Sequence, residues 1–134
     1  MFKNKNALIS VFDKTNLDDI AKFLIKKKYT IYSTGGSSGY LKKIHVPHIQ
    51  ISKYTKQKEI LAGRVKTLHP KIFGGILATN TKDNQEELSR ERIVNFDLLV
   101  VNLYPFEETV KNKKKTDEII EMIDIGGHSL IRAA

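Results

Sequence analysis

The chain reads as an open α/β domain built on a parallel sheet, and three observations predict it. Short apolar runs alternate with amphipathic helical patterns through the first half, in the order β-α-β-α-β. A dense apolar run from Phe96 to Leu103 has the character of a central strand covered on both faces. Polar loops follow strand ends at Ser33-Thr34-Gly35-Gly36-Ser37-Ser38 and at Asn102-Leu103-Tyr104-Pro105-Phe106, where open sheets of this class place their ligands.

Ala7 to Val11 predicts the first strand. Leu17, Ile20, Ala21, Leu24 and Ile25 then recur on one helical face, with Thr15 placed to cap it and Asp18 three residues on as an acidic form of the capping box. Thr30 to Ser33 predicts a second strand running into the Gly35-Gly36 turn, and a short helix carries Tyr40 and Leu41. Pro47 breaks the chain before a third strand at about His48 to Ile51. Pro70 to Ala78 and Asn84 to Arg92 read as helices, Pro70 suiting a first turn because its missing N–H would lack an intrahelical partner there. Beyond the Phe96 strand, Thr116 to Ile123 is helical with Thr116 as its cap, and Gly126 opens a loop entering a last helix. That helix reaches Arg132-Ala133-Ala134 without a Gly, Asn or Pro stop signal, so a fragment of a longer chain is expected.

At 134 residues and 40% hydrophobic composition the chain holds one core, and a single domain over 1–134 is expected. The absence of cysteine excludes disulfides, thiolate nucleophiles and cysteine-ligated metals. Met1 to Asn6 is rich in Lys and Asn, and the apolar run after it is too short for a signal peptide or a membrane span, which points to a soluble cytoplasmic protein. A net charge of +8 raises the question of nucleic acid. Lys26 to Lys28, however, fall in a last helical turn, where cations complement the macrodipole, and Lys111 to Lys115 lack interleaved aromatics for stacking bases. Neither nucleic acid nor membrane is an expected partner. His45 and His48 flank Pro47 without an acidic or thiolate ligand set, so no metal is expected.

The chemistry concentrates in Gly63-Arg64-Val65-Lys66-Thr67-Leu68-His69-Pro70, where two cations, a hydroxyl and an imidazole share one Gly- and Pro-bounded loop suited to an anion. Arg64 and Lys66, alternating with Val65, predict two cations on one side of an extended segment with Val65 turned into the core. Arginine supplies a planar fork for phosphate and lysine a movable point charge. His69 reads as a cap for backbone groups beside Pro70 rather than as a catalyst. Gly35 and Gly36 let backbone N–H groups approach a phosphate, with Ser37 and Ser38 adding hydroxyl donors and Lys14 reaching the same sheet edge. Tyr104 follows a strand, so its hydroxyl is placed at the sheet edge, and Asn102 offers an amide for reading a base or carboxamide. Asp124 precedes Ile125-Gly126-Gly127, a position where an aspartate is ordinarily a helix cap.

Taken in order, Ser10-Val11-Phe12-Asp13-Lys14-Thr15, Ser33-Thr34-Gly35-Gly36, the Arg64 to Pro70 block, Asn102-Leu103-Tyr104-Pro105-Phe106 and Ile123-Asp124-Ile125-Gly126-Gly127 resemble the N-terminal inosine monophosphate (IMP) cyclohydrolase domain of the bifunctional purine-biosynthesis proteins. The resemblance implies a three-layer α/β/α fold of the methylglyoxal-synthase type with a mainly parallel sheet. It implies closure of 5-formamidoimidazole-4-carboxamide ribotide to IMP and water, without metal or organic cofactor. By the same resemblance Phe12, Asp13, Lys14, Thr34, Gly35, Gly36, Ser37, Arg64, Val65, Thr67, Val101, Asn102 and Ile125 would hold the nucleotide. Lys66 and Tyr104 would polarise the formyl oxygen, and Asp124 would assist proton transfer. The family forms homodimers, and its transformylase domain would be absent here.

Three departures qualify the match. Phe12 stands where the family usually has a small hydroxyl residue, and His128 where it often has Pro or a small residue. The family's proton-transferring lysine would fall two residues beyond Ala134, so reduced ring-closing activity is expected and extension through that lysine should raise turnover. The same fold serves as an effector-binding regulatory domain in carbamoyl phosphate synthetases and as methylglyoxal synthase, and neither accounts as well for the Arg64 to Pro70 and Asn102 to Phe106 blocks.

Overall fold

A computed structural model describes residues 5–134 of the chain, so part of the Lys- and Asn-rich start lies outside the described residues. Four parallel strands form the sheet: β1 (Lys5–Ser10), β2 (Tyr29–Ser33), β3 (Ile49–Gln50) and β4 (Leu98–Val101), in the spatial order β3-β2-β1-β4. Eight α-helices accompany them among the described residues, with a single 3-10 turn at Leu61–Gly63. They are α1 (Leu17–Lys26), α2 (Gly35–Lys43), α3 (Ile51–Thr55), α4 (Pro70–Leu77), α5 (Lys82–Arg90), α6 (Phe106–Lys111), α7 (Thr116–Glu121) and α8 (Ile125–Ala133).

The pleat of β1 decides the layering. Successive side chains on a strand point to opposite faces, and here Ala7 and Ile9 join Leu17, Ala21 and Leu24 of α1 and Leu41 of α2 in one buried cluster. Leu8 points the other way, into a second cluster with Tyr32, Ile51 of α3, Ile72 of α4, Phe96 and Leu130 of α8. Helices therefore cover both faces of the sheet, which is the three-layer α/β/α architecture. Parallel pairing of Ile9 with Ser33 and of Ser10 with Val101 brings three strand ends level at one edge. The loops that leave those ends are consequently neighbours, although they lie far apart in sequence.

Several local expectations change. Asn16, in a left-handed conformation and without a side-chain capping bond, takes the N-cap position of α1 in place of Thr15, whose N–H and hydroxyl both donate to Asp13 Oδ1. Ile20 and Ile25 remain more than a third exposed, so the buried face of α1 is narrower than the periodicity predicts. Helix α2 begins at Gly35, so the two glycines form a helical first turn and not a separate turn before it. Strand β3 is only two residues long, because Ile51 already starts α3. Lys115, not Thr116, precedes α7, and its N–H donates to Glu118 Oε2.

The largest revision concerns the Phe96 run. Its strand covers only Leu98–Val101, at the sheet edge beside β1, while Phe96 is held in the core by a bond from its N–H to the Gly75 carbonyl. Hydrophobic density signals burial, and Phe96 satisfies it by packing across Tyr32 with ring centres 5.4 Å apart.

Tyr54 completes that aromatic group, 5.1 Å from Tyr32, and its hydroxyl accepts the Val94 N–H at 2.9 Å. Burial pushes its phenol above the usual tyrosine range. Tyr54→Phe keeps the ring and strands the Val94 N–H, so a loss of about 1–2 kcal/mol of stability is expected. Urea unfolding checks this, and an unchanged midpoint would show that the bond contributes nothing.

Candidate functional site

At the carboxyl edge of the sheet the β1–α1 loop, the first turn of α2, the segment 61–68 and the approach to α8 enclose a cleft of ≈ 540 Å³. That is within the usual range for small-molecule sites, about 300–1,000 Å³, and suits a nucleotide-sized ligand. Of the residues expected from the sequence, Phe12, Lys14, Thr34, Gly36, Ser37, Arg64, Val65, Lys66, Thr67, Asn102, Tyr104, Asp124 and Ile125 line it. Asp13, Gly35 and Val101 do not.

The β1–α1 loop is organised around Phe12. Asn102, just past β4, accepts the N–H groups of Phe12 (2.6 Å) and Asp13 (3.0 Å) through Oδ1 and donates Nδ2 to the Asp13 carbonyl at 2.8 Å. The amide expected to read a ligand thus ties two strand-end loops together. Asp13 is exposed, and its hydrogen bonds from Thr15 hold its carboxyl below the ordinary aspartate range. The Phe12 ring, 44% exposed, meets Tyr104 edge-on at 5.4 Å. The Tyr104 hydroxyl has no hydrogen-bond partner among the described residues, which leaves it available to the cleft. Val101 sits in β4 and packs against the Leu8 cluster, one residue short of the cleft.

Lys14 donates to the carbonyls of Val11 (3.1 Å) and Phe12 (2.5 Å), and a Cβ placed on Gly36 would lie 3.5 Å from its ammonium. Burial, and then the charge of Lys66, lower its pKa below the usual lysine value, with Asp13 opposing them. Neither Lys14 nor Lys66 has a carboxylate within ion-pair distance among the described residues. Two ammonium groups close enough to disfavour each other, with no carboxylate at ion-pair distance among the described residues, make a site that gains from an added anion.

The first turn of α2 supplies donors differently from expectation. The Ser37 hydroxyl accepts the Val11 N–H and donates to the Val11 carbonyl, and Ser38 pairs with His48 Nε2 at 2.7 Å, so both hydroxyls serve the fold. Thr34 is buried and donates to Ser10 Oγ. What faces a ligand is backbone: the N–H groups of Gly36 and Ser37 have no intrahelical partner in a first turn. The Gly35 N–H donates to Glu59 Oε1 at 3.0 Å.

Segment 60–65 is a small antiparallel bridge in which Ile60 and Val65 exchange backbone hydrogen bonds. Val65 is half-buried, and the residue that anchors the loop is Thr67, 1% exposed. A hydroxyl can occupy that place because the loop is threaded against Gly126, whose substituent position lies 3.2 Å from Thr67 Oγ1. Arg64 pairs with Glu121 at the end of α7, across the mouth of the cleft. His69 caps α4, accepting the Lys71 N–H through Nδ1. Asp124 caps α8, accepting the Gly127 N–H at 2.7 Å, and still faces the cleft. Ile125 lies beside it, 59% exposed.

Sequence reasoning missed Glu59 and Glu121. Neither belongs to a motif with a recognisable spacing, and each meets its partner only through the fold. Among the described residues no group of acidic and histidine side chains could hold a metal, and no helix is long and apolar enough to cross a membrane.

Comparison with known proteins agrees with this architecture. The MGS-like domain family matches residues 16–129, and the chain belongs to that family. Within it, the chain is 52% identical over 132 residues to the bifunctional purine biosynthesis protein PurH of Buchnera aphidicola from Acyrthosiphon pisum, and 51% identical over 133 residues to PurH of Fusobacterium nucleatum. Each alignment covers 97% of this chain, which spans about a quarter of the relatives' length (25% and 26%). A crystal structure of ForH superposes with a TM-score of 0.80 at 28% identity, over 98% of this chain and 67% of that one. The chain is thus a PurH-related MGS-like domain, related to an enzyme of purine biosynthesis.

Proposed function

We propose that the cleft binds a purine ribotide and closes 5-formamidoimidazole-4-carboxamide ribotide to IMP. The observation that carries the reading is the pair Lys14 and Lys66, without an ion-pair partner among the described residues, facing one cleft beside the N–H groups that the α2 first turn leaves without intrahelical partners. A phosphate would rest on those N–H groups and Lys14, since a helix N-terminus and an ammonium both favour negative charge.

In the reaction the carboxamide nitrogen attacks the formyl carbon of the same molecule, a C–N bond forms, and the formyl oxygen gains charge before leaving as water. The site has two tasks, holding the reactive conformer and stabilising that oxygen. Lys66 and the Tyr104 hydroxyl, which has no hydrogen-bond partner among the described residues, are the donors suited to the oxygen. Asp124 keeps one carboxylate oxygen on the Gly127 N–H, which orients the other for a proton. Arg64, released from Glu121, would reach the ribotide's polar groups. The PurH relatives' involvement in purine biosynthesis supports this choice of ligand.

Calorimetric titration with IMP tests the reading, and a folded chain that takes up no IMP would refute it. The pH dependence is specific. An anion favours the charged form of Lys14, so binding raises a pKa that is depressed in the free protein and takes up protons near and above that depressed value. Affinity should therefore fall as pH rises through the depressed Lys14 pKa, earlier than an ordinary lysine of about 10.4 would allow. Lys14→Arg, which does not titrate there, should flatten this part of the profile and separate it from the ligand's own ionisation. Identical profiles for the two proteins would remove Lys14 from the anion site.

A further inference from the structure

The segment that carries Arg64 and Lys66 is joined to the sheet edge by a residue no sequence motif singles out. Glu59 immediately precedes the Ile60–Val65 bridge, and its carboxylate reaches 24 residues back along the chain to accept the Gly35 N–H at 3.0 Å. Both oxygens lie close to positions that carry no side chain. A Cβ on Gly35 would stand 3.0 Å from Oε1 and 3.2 Å from Oε2, and one on Gly63 would stand 3.4 Å from Oε2. Gly63 also has φ +87, a left-handed conformation in which a side chain would be strained.

We infer that Glu59 is a positioning residue, which fixes the Arg64–Lys66 segment against the first turn of α2 so that Lys66 and the α2 N–H groups face one ligand. A carboxylate on a helix N-terminal N–H makes a charge-assisted bond that the helix dipole strengthens. By occupying Gly35 it leaves the next two N–H groups, Gly36 and Ser37, to an incoming anion. Its neighbour Ile60 transmits the constraint, because Ile60 exchanges two backbone bonds with Val65, between the two cations. Before a ligand enters, Arg64 holds Glu121 on the far side and Thr67 is buried beside Gly126, so the free segment is fixed at three places and Glu59 supplies the one on the phosphate side.

The inference concerns the reading that the cleft takes a ribotide, yet one arm of its test is independent of any ligand. Lys56, Lys58, Arg64 and Lys66 place trypsin sites within the segment. In Glu59→Ala the segment should open more often, and cleavage between residues 56 and 66 should quicken roughly ten-fold while the urea midpoint stays close to that of the unmodified chain. Glu59→Gln, whose amide oxygen still accepts the Gly35 N–H, should be cut at nearly the original rate. Gly35→Ala, which displaces the carboxylate, should behave like Glu59→Ala.

Titration with IMP forms the second arm. Glu59→Ala should weaken binding roughly ten-fold, Glu59→Gln should recover most of it, and the loss should shrink when Lys66 is already alanine, because the two residues then act through one path. Equal trypsin rates in Glu59→Ala and the original chain would overturn the assignment whether or not IMP binds. So would tighter IMP binding in Glu59→Ala, which would make the carboxylate a competitor of the phosphate. An unmodified chain that takes up no IMP refutes the ribotide reading and leaves the trypsin comparison to decide the role of Glu59.

Discussion

Gly75→Ala is expected to destabilise the fold by about 4 kcal/mol, a large part of the ~5–15 kcal/mol that holds a domain of this size together. Gly75 is buried in α4 with its own carbonyl accepting the Phe96 N–H, and the segment 94–96 crosses directly over it. A Cβ there would lie 2.2 Å from the Val94 carbonyl oxygen and 2.8 Å from Phe96 Cδ2. The first partner is backbone, so relief requires moving the chain and with it the Tyr32–Tyr54–Phe96 aromatic group. The neighbouring Gly74→Ala is the control. Its Cβ would meet only Ile93 Cδ1 at 3.4 Å, so the better helix propensity of alanine, up to about 1 kcal/mol, should offset most of any cost. Urea unfolding of both variants decides the matter. A Gly75→Ala protein within 1 kcal/mol of the original would mean that the 94–96 crossing is not held as tightly as described.

The second large effect is expected at Lys66. Lys66→Ala should lower ring closure by roughly 10²–10³, the usual consequence of losing one donor to a developing oxyanion in a partly dehydrated site. The effect on IMP affinity should be smaller, because the product no longer carries that charge. Lys66 is half-buried and lacks a counter-charge among the described residues, so its removal leaves no stranded carboxylate and need not unfold the chain. It should even relieve Lys14, whose pKa is lowered partly by Lys66. Formation of IMP from the formamido ribotide, measured with the melting temperature, separates chemistry from folding. Turnover unchanged in Lys66→Ala would end the cyclohydrolase reading. Phosphate-ligand binding indifferent to the substitution would favour an effector-binding module.

Particular residues show why some features were legible in sequence and others were not. Leu8, flanked by Ala7 and Ile9, predicts a strand buried on both faces, because an apolar run this short suits a strand under two layers better than a helix, and all three side chains are buried. His69 beside Pro70 predicts a capped helix start, and the cap is present. Both are local facts, fixed by dihedral preferences and by the missing N–H of proline. The Thr15 cap fails because Asp13 lies within reach and competes for the same hydroxyl and N–H. Val65 fails as an anchor for a different reason. Hydrophobicity predicts burial on average, whereas at this loop a bare Gly126 lets the threonine beside it in.

The α/β class, the parallel order of the early strands and the set of polar loops from which a ligand site is drawn are all readable in the residues, since strand ends, glycines and charges follow from local chemistry. Which groups within those loops remain free depends on packing between distant parts of the chain. Asn102, Ser37 and Ser38 carry suitable donors, yet their partners are Asp13, Val11 and His48, brought to them by strand register and helix packing. Glu59 and Glu121 enter the site by the same means. A hydrogen bond is decided by distances of a few tenths of an ångström between residues remote in the chain, and those distances exist only once the sheet has set its strands side by side.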